Sequence, residues 1–101
     1  MSVYAGKMED MQANEGNSFT GHIAGAIRAE MARQRMEFVQ VASIIHVSRA
    51  TAYRRINGEI PFDVTEIEAI GRHLGVTVDE IFASAELGAE IEARRVKSVA
   101  A

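Results

Sequence analysis

The chain of 101 residues has no cysteine and no tryptophan, one proline, two tyrosines and four phenylalanines. Without cysteine there is no disulfide framework, no thiolate nucleophile and no thiolate metal site. No stretch approaches the roughly 18 consecutive apolar residues that suggest a membrane span. Met1 to Asn17 lacks the apolar centre of a signal peptide, and it carries Glu9, Asp10 and Glu15, the wrong charge for most targeting segments. A cytoplasmic protein is expected, and the missing cysteine fits a reducing compartment. Alternating apolar and polar runs are also missing, and Asn57-Gly58 has no strand pattern on either side, so nothing points to a sheet. No glycine-rich phosphate loop occurs. His22, His46 and His73 are too widely spaced for a metal-ligand pattern, and Ser48 near His46 belongs to no nucleophile motif. Catalysis, a metal, a cofactor and a small-molecule ligand are therefore not expected.

What is present is an ordinary globular balance, 48% hydrophobic and 25% charged, in a length that suits one domain. The formal net charge is −3, but the charges are sorted along the chain. From Arg28 to Gly58, Arg28, Arg33, Arg35, Arg49, Arg54 and Arg55 face only Glu30 and Glu37, and the flanks on either side are acidic. A basic middle permits nucleic-acid binding without requiring it.

Residues 1–18 show no sustained period and read as a flexible tail, in which Met8 and Met11 are the residues that could dock on another surface. From there the spacing predicts helices. Ile23, Ile27 and Met31 repeat every four residues, with Thr20 as cap and Phe19 and Ala24 as a hydrophobic staple, giving a first helix over about 21–35. Phe38, Val41, Ala42 and Ile45 stripe a second, ending near His46. Ser48 caps a third that runs from Arg49 to Asn57, where Gly58 stops it. Pro61 breaks the chain before a fourth, marked by the capping box of Asp63 with Glu66 and the staple of Phe62 with Ile67. Val64, Ile67, Ile70, Gly71 and Leu74 line its inner side, and Gly75 ends it. Thr77 with Glu80 and Val76 with Ile81 repeat the device for a fifth, which carries Val78, Ile81 and Phe82 inward. The fold class is all-α, a compact bundle of about five short helices over residues 19–84. In residues 85–101, Leu87 and Ile91 lie four apart and Glu90 precedes Arg94 by four. This segment reads as a sixth helix, a dimerisation arm or a frayed tail.

The informative stretch is Val39 to Gly58, VQVASIIHVSRATAYRRING. Two short helices meet at a tight turn around His46-Val47-Ser48, with Val47 plugging the turn and Ala42 small where the helices approach. Ala52 and Ile56 face inward, so Arg49, Ala50, Tyr53 and Arg54 face outward. A helix fits the major groove of B-DNA and its N-terminal residues reach base edges. Arginine there can donate two hydrogen bonds to guanine, and Ala50 lets the helix approach closely. Ser48 and Thr51 can reach phosphate oxygens, while Arg55 and Asn57, late in the helix, suit backbone contacts. Tyr53 suits either packing or a DNA contact. Arg28, Arg33 and Arg35 read as a solvated face.

Ile23 to Ala83 resembles the lambda-repressor and Cro-like (XRE-type) helix-turn-helix family. The matching residues are Val41-Ala42, Val47-Ser48, RATAYRRING and IEAIGRHLGVTVDEIF. The resemblance implies that Arg49, Ala50 and Arg54 take base-reading positions, with Tyr53 beside them and Asn57 near a phosphate. It also implies a transcriptional repressor of phage or bacterial setting, binding operator DNA as a homodimer with half-sites about 34–36 Å apart. Three residues depart from the pattern. His46 replaces the usual turn glycine, for which a positive φ is one solution. Phe38 replaces a glutamine that meets the DNA backbone, a contact that Gln40 could supply. Arg55 stands where relatives bury an apolar side chain, a place left to Ile56. The alternative is a protein-interaction module on the same fold, such as an antitoxin-type partner, which the acidic total favours and the outward arginines disfavour. Leu87 and Ile91 are the candidate dimer seam.

Overall fold

The computed structural model describes residues 18–100. Five helices follow one another: α1 Phe19–Gln34, α2 Phe38–Ile45, α3 Arg49–Ile56, α4 Val64–Leu74 and α5 Val78–Ala100. No strand occurs among the described residues, so the all-α bundle expected from the spacing is the fold. The reading of residues 1–18 as a tail falls, apart from Ser18, outside the described residues.

The apolar stripes converge on one core. Ile27 from α1, Val41 from α2, Ala52 from α3 and Ile70 from α4 are completely buried, and Ile81 from α5 is nearly so. Val47, Phe62, Val76, Val78 and Phe82 pack around them. No polar or charged residue is buried among those described, so the centre is held by apolar burial, at roughly 25 cal/mol per Å² removed from water.

Local hydrogen bonds explain where the helices start. The Asp63 and Glu66 pair exchanges its two bonds at 2.7 and 3.0 Å, and Thr77 and Glu80 exchange theirs at 3.0 and 2.8 Å, as the spacing predicts. A third helix start was not read from the sequence: the Gln40 side-chain oxygen accepts from the Glu37 N–H at 2.9 Å, so Gln40 is engaged in opening α2. At α1 the expectation is corrected. Ser18, not Thr20, is the cap; its hydroxyl accepts from the Gly21 N–H at 3.1 Å, and the helix starts two residues earlier than expected. Phe19 consequently lies in the first turn instead of stapling it, and its ring meets Phe82 edge to face at 6.1 Å.

The four helices α1 to α4 end in one kind of turn, with a left-handed residue at Arg35, His46, Gly58 and Gly75. At α3 the Gly58 N–H reaches the Arg55 carbonyl at 3.1 Å and the Glu59 N–H reaches that of Arg54 at 2.9 Å, the pair of bonds of a Schellman turn. Gly58 is buried there, and an added Cβ would sit 3.5 Å from the Gly21 backbone.

The chain after Ser84 forms neither a separate sixth helix nor a non-helical tail. α5 runs on without a break for 23 residues. Gly88, the one glycine on this stretch, lies against His22 of α1, and α5 packs along α1. A lone glycine costs a helix only about 1 kcal/mol, and α5 continues through it.

Candidate nucleic-acid interface

The site is built by α2, its turn and α3. His46 takes φ 58 and ψ 48, the left-handed conformation, and Val47 N–H closes the turn on the Ala42 carbonyl at 3.0 Å. The backbone thus keeps the geometry a glycine would give, at the cost of placing a side chain in a region that L-residues avoid. Ala42 and Ala52, both buried, leave the two helices room to approach.

Ser48 caps α3, its hydroxyl accepting from the Thr51 N–H at 3.1 Å and donating to the Thr51 hydroxyl at 3.0 Å. Beyond this cap, Arg49, Ala50, Tyr53 and Arg54 are exposed, and Thr51 is half-buried. Among the described residues neither Arg49 nor Arg54 forms an ion pair. Asn57 is exposed just after α3 and keeps a right-handed backbone.

Arg55 departs from the group. Its Nη1 donates to the Pro61 carbonyl at 2.6 Å and lies 3.3 Å from the Glu66 carboxylate. The side chain is 20% exposed, so its guanidinium ties the end of α3 to the start of α4 and is not presented with Arg49 and Arg54. Ile56 fills the core position beside it, 6% exposed.

Two further residues belong to the site's framework. Arg28 is not a purely solvated cation: its Nη1 donates to the Ile56 carbonyl, closing the C-terminal end of α3 with a positive charge where the helix dipole favours one. Phe38 opens α2 and meets Tyr53 edge to face, with ring centroids 5.9 Å apart. Helical periodicity could not have paired them, because they lie on different helices. The reading of Phe38 as part of the apolar stripe of α2 is corrected: Val41, Ala42 and Ile45 are buried, whereas Phe38 stays 39% exposed and outside the core.

Among the described residues, no group of three His, Asp or Glu side chains gathers as a metal site would require, and no helix is long and apolar enough to cross a membrane. The BetR domain model matches residues 18–93, which take in α1 to α4 and most of α5. No curated protein and no solved structure matches the chain. With the match covering most of its length, the chain belongs to the BetR domain family, a helix-turn-helix type of domain.

Proposed function

We propose that this protein is a sequence-specific double-stranded DNA-binding transcriptional regulator of the lambda-repressor and Cro-like kind, acting in the cytoplasm as a repressor that occupies an operator. The observation that carries the reading is the exposed row of Arg49, Ala50 and Arg54 on a capped α3. Two arginines that form no ion pair among the described residues stand beside a residue too small to hold the helix off the groove. Arg49 and Arg54 supply base-edge donors. Ser48, Thr51 and Asn57 supply shorter contacts to the phosphate strands. Repression follows from occlusion: a protein seated in the groove denies the site to polymerase. A homodimer on a two-fold operator is part of the reading, with the outer side of α5 as its seam, where Leu87 is 53% and Ile91 43% exposed.

The test is selection of genomic fragments with the purified protein, followed by titration of the winning duplex at two salt concentrations. Recovery of one short motif, with affinity lost in Arg49→Ala and Arg54→Ala, supports the reading. Recovery of none, or only weak binding that disappears with modest salt, favours the protein-interaction alternative to which the acidic net charge of −3 points.

A further inference from the structure

The exposed aromatic pair on the α2–α3 surface has no role in holding the core. Phe38 is 39% exposed and Tyr53 54% exposed, and neither belongs to the core cluster or to the apolar residues packed on it. Each has the other as its ring partner, edge to face. Together the two rings form a small contiguous apolar patch on the surface. The pair lies beside the row of Arg49, Ala50 and Arg54, since Tyr53 is one turn beyond Arg49 on the same helix. In a helix-turn-helix the first helix crosses the sugar-phosphate strand while the second enters the groove. That geometry would bring α2, and with it Phe38, near the strand.

We propose that Phe38 and Tyr53 form the non-ionic part of the DNA-docking surface: the Phe38 ring covers the apolar side of a deoxyribose, and the Tyr53 hydroxyl donates to the adjoining phosphate. The inference rests on the DNA-binding reading and deepens it. The rings fix how the recognition helix is seated, and they read no base. Their chemistry differs from that of the arginines in one measurable respect. A cation that neutralises a phosphate releases a counterion and steepens the salt dependence of binding, whereas a ring and a neutral hydroxyl release none. Covering what remains exposed of one phenylalanine corresponds to about five-fold in affinity.

The experiment is titration of the selected duplex, and of duplexes with single base-pair changes, across a salt series with Phe38→Ala, Phe38→Leu, Tyr53→Phe and Arg54→Ala. Far-UV circular dichroism and a melting curve accompany each variant. Phe38→Ala is expected to lose about five-fold and Tyr53→Phe a few-fold. Each loss should be the same at every salt concentration and on every duplex. Arg54→Ala should instead lose affinity through the one base pair it reads and relax discrimination there. Phe38→Leu, which keeps an apolar start to α2, should fall between wild type and Phe38→Ala, and it carries the comparison if the alanine variant melts early. Full affinity in Phe38→Ala and Tyr53→Phe, on a wild type that selects a motif, overturns this inference alone. So does a loss that changes the salt slope or is confined to particular base pairs. A wild type that selects no motif removes the DNA reading, and this inference with it.

Discussion

Arg55 and Glu66 join the end of α3 to the start of α4, with Nη1 and Oε1 3.3 Å apart. Glu66 also accepts from the Asp63 N–H at 3.0 Å, so one carboxylate serves the capping box of α4 and the anchor of α3. The neighbouring Arg54 is exposed. Two adjacent arginines therefore have opposite duties, and their alanine variants should separate them. Arg55→Ala removes a charge-assisted bond to Pro61 and leaves Glu66 short of a partner, which should cost about 2 kcal/mol. The figure belongs at the low end of buried-pair values because Arg55 Nε is buried without an acceptor, so part of its desolvation is not returned. Arg54→Ala should stay within about 0.5 kcal/mol in stability. Urea unfolding of both variants checks the ordering, and equal stabilities would refute it.

The turns after α1 and α2 store backbone strain that can be relieved. Arg35 and His46 both hold φ 58, where an L-residue sits about 1–2 kcal/mol above its right-handed alternative. Glycine removes that cost but adds freedom to the unfolded chain, worth about 0.4–1 kcal/mol. Arg35→Gly and His46→Gly should each stabilise by a net of about 0.5–1 kcal/mol, seen as a rise of several degrees in Tm. Any drop in Tm would show that the side chains contribute more than the backbone loses.

Glycines inside the helices should answer oppositely to alanine. A Cβ on Gly71 would sit 2.6 Å from the Val76 carbonyl oxygen, a backbone atom that cannot swing aside. Gly71→Ala should destabilise by about 1–3 kcal/mol. At Gly25 the added Cβ would meet only the end of the flexible Arg28 side chain, at 3.5 Å. Gly25→Ala should stabilise by up to about 1 kcal/mol through helix propensity. Denaturant midpoints of the two variants on opposite sides of wild type are the expected result.

These contrasts show what could be read from the chain before its structure. Asp63 with Glu66 and Thr77 with Glu80 were legible because a capping box is a contact across three residues. The inward stripe of Ile67, Ile70, Gly71 and Leu74 on α4 was legible because helical period sets it, but Val64, read with them, is corrected: it opens the helix and is 61% exposed. The ties to helix ends join residues far apart: Arg28 reaches Ile56 at the end of α3 across 28 positions, and Gln34 reaches Leu74 at the end of α4 across 40. No local pattern encodes a bond between a side chain and a distant helix-end carbonyl. Ser18 was passed over because Thr20, two residues on, offered the same hydroxyl chemistry. The length of α5 was open because Leu87 and Ile91 are exposed, so the period there had no core to point at; α5 instead runs on along α1.

The exposed side of α5 yields a prediction independent of DNA. Leu87 and Ile91 lie one turn apart and are about half exposed, while Ala85 on the opposite side is buried. If the outer side is the seam between two copies, Leu87→Glu with Ile91→Glu should shift sedimentation velocity toward the monomer and leave the helical circular dichroism unchanged. The same variant should bind a half-site duplex as wild type does and lose affinity only on the full two-fold site. A wild type that remains monomeric with and without DNA would remove the dimer from the proposed function.

The sharpest prediction concerns the shape of a charge and not its presence. Arg54 and lysine carry the same charge, so Arg54→Lys should preserve the salt slope of binding, which counts neutralised phosphates. They differ in geometry. The guanidinium is a planar fork that meets guanine O6 and N7 together, whereas the ammonium is a single rotating donor group. If Arg54 reads a base, Arg54→Lys should lose about 1–3 kcal/mol of discrimination at one base pair and leave the others unaffected. If Arg54 only neutralises a phosphate, the lysine variant should match wild type on every duplex. Competition titrations with single base-pair changes distinguish the two, because a uniform effect marks the strand and a position-specific effect marks the groove. Arg49→Lys, run in parallel, should shift discrimination at a different base pair, since Arg49 and Arg54 lie more than one turn apart on α3.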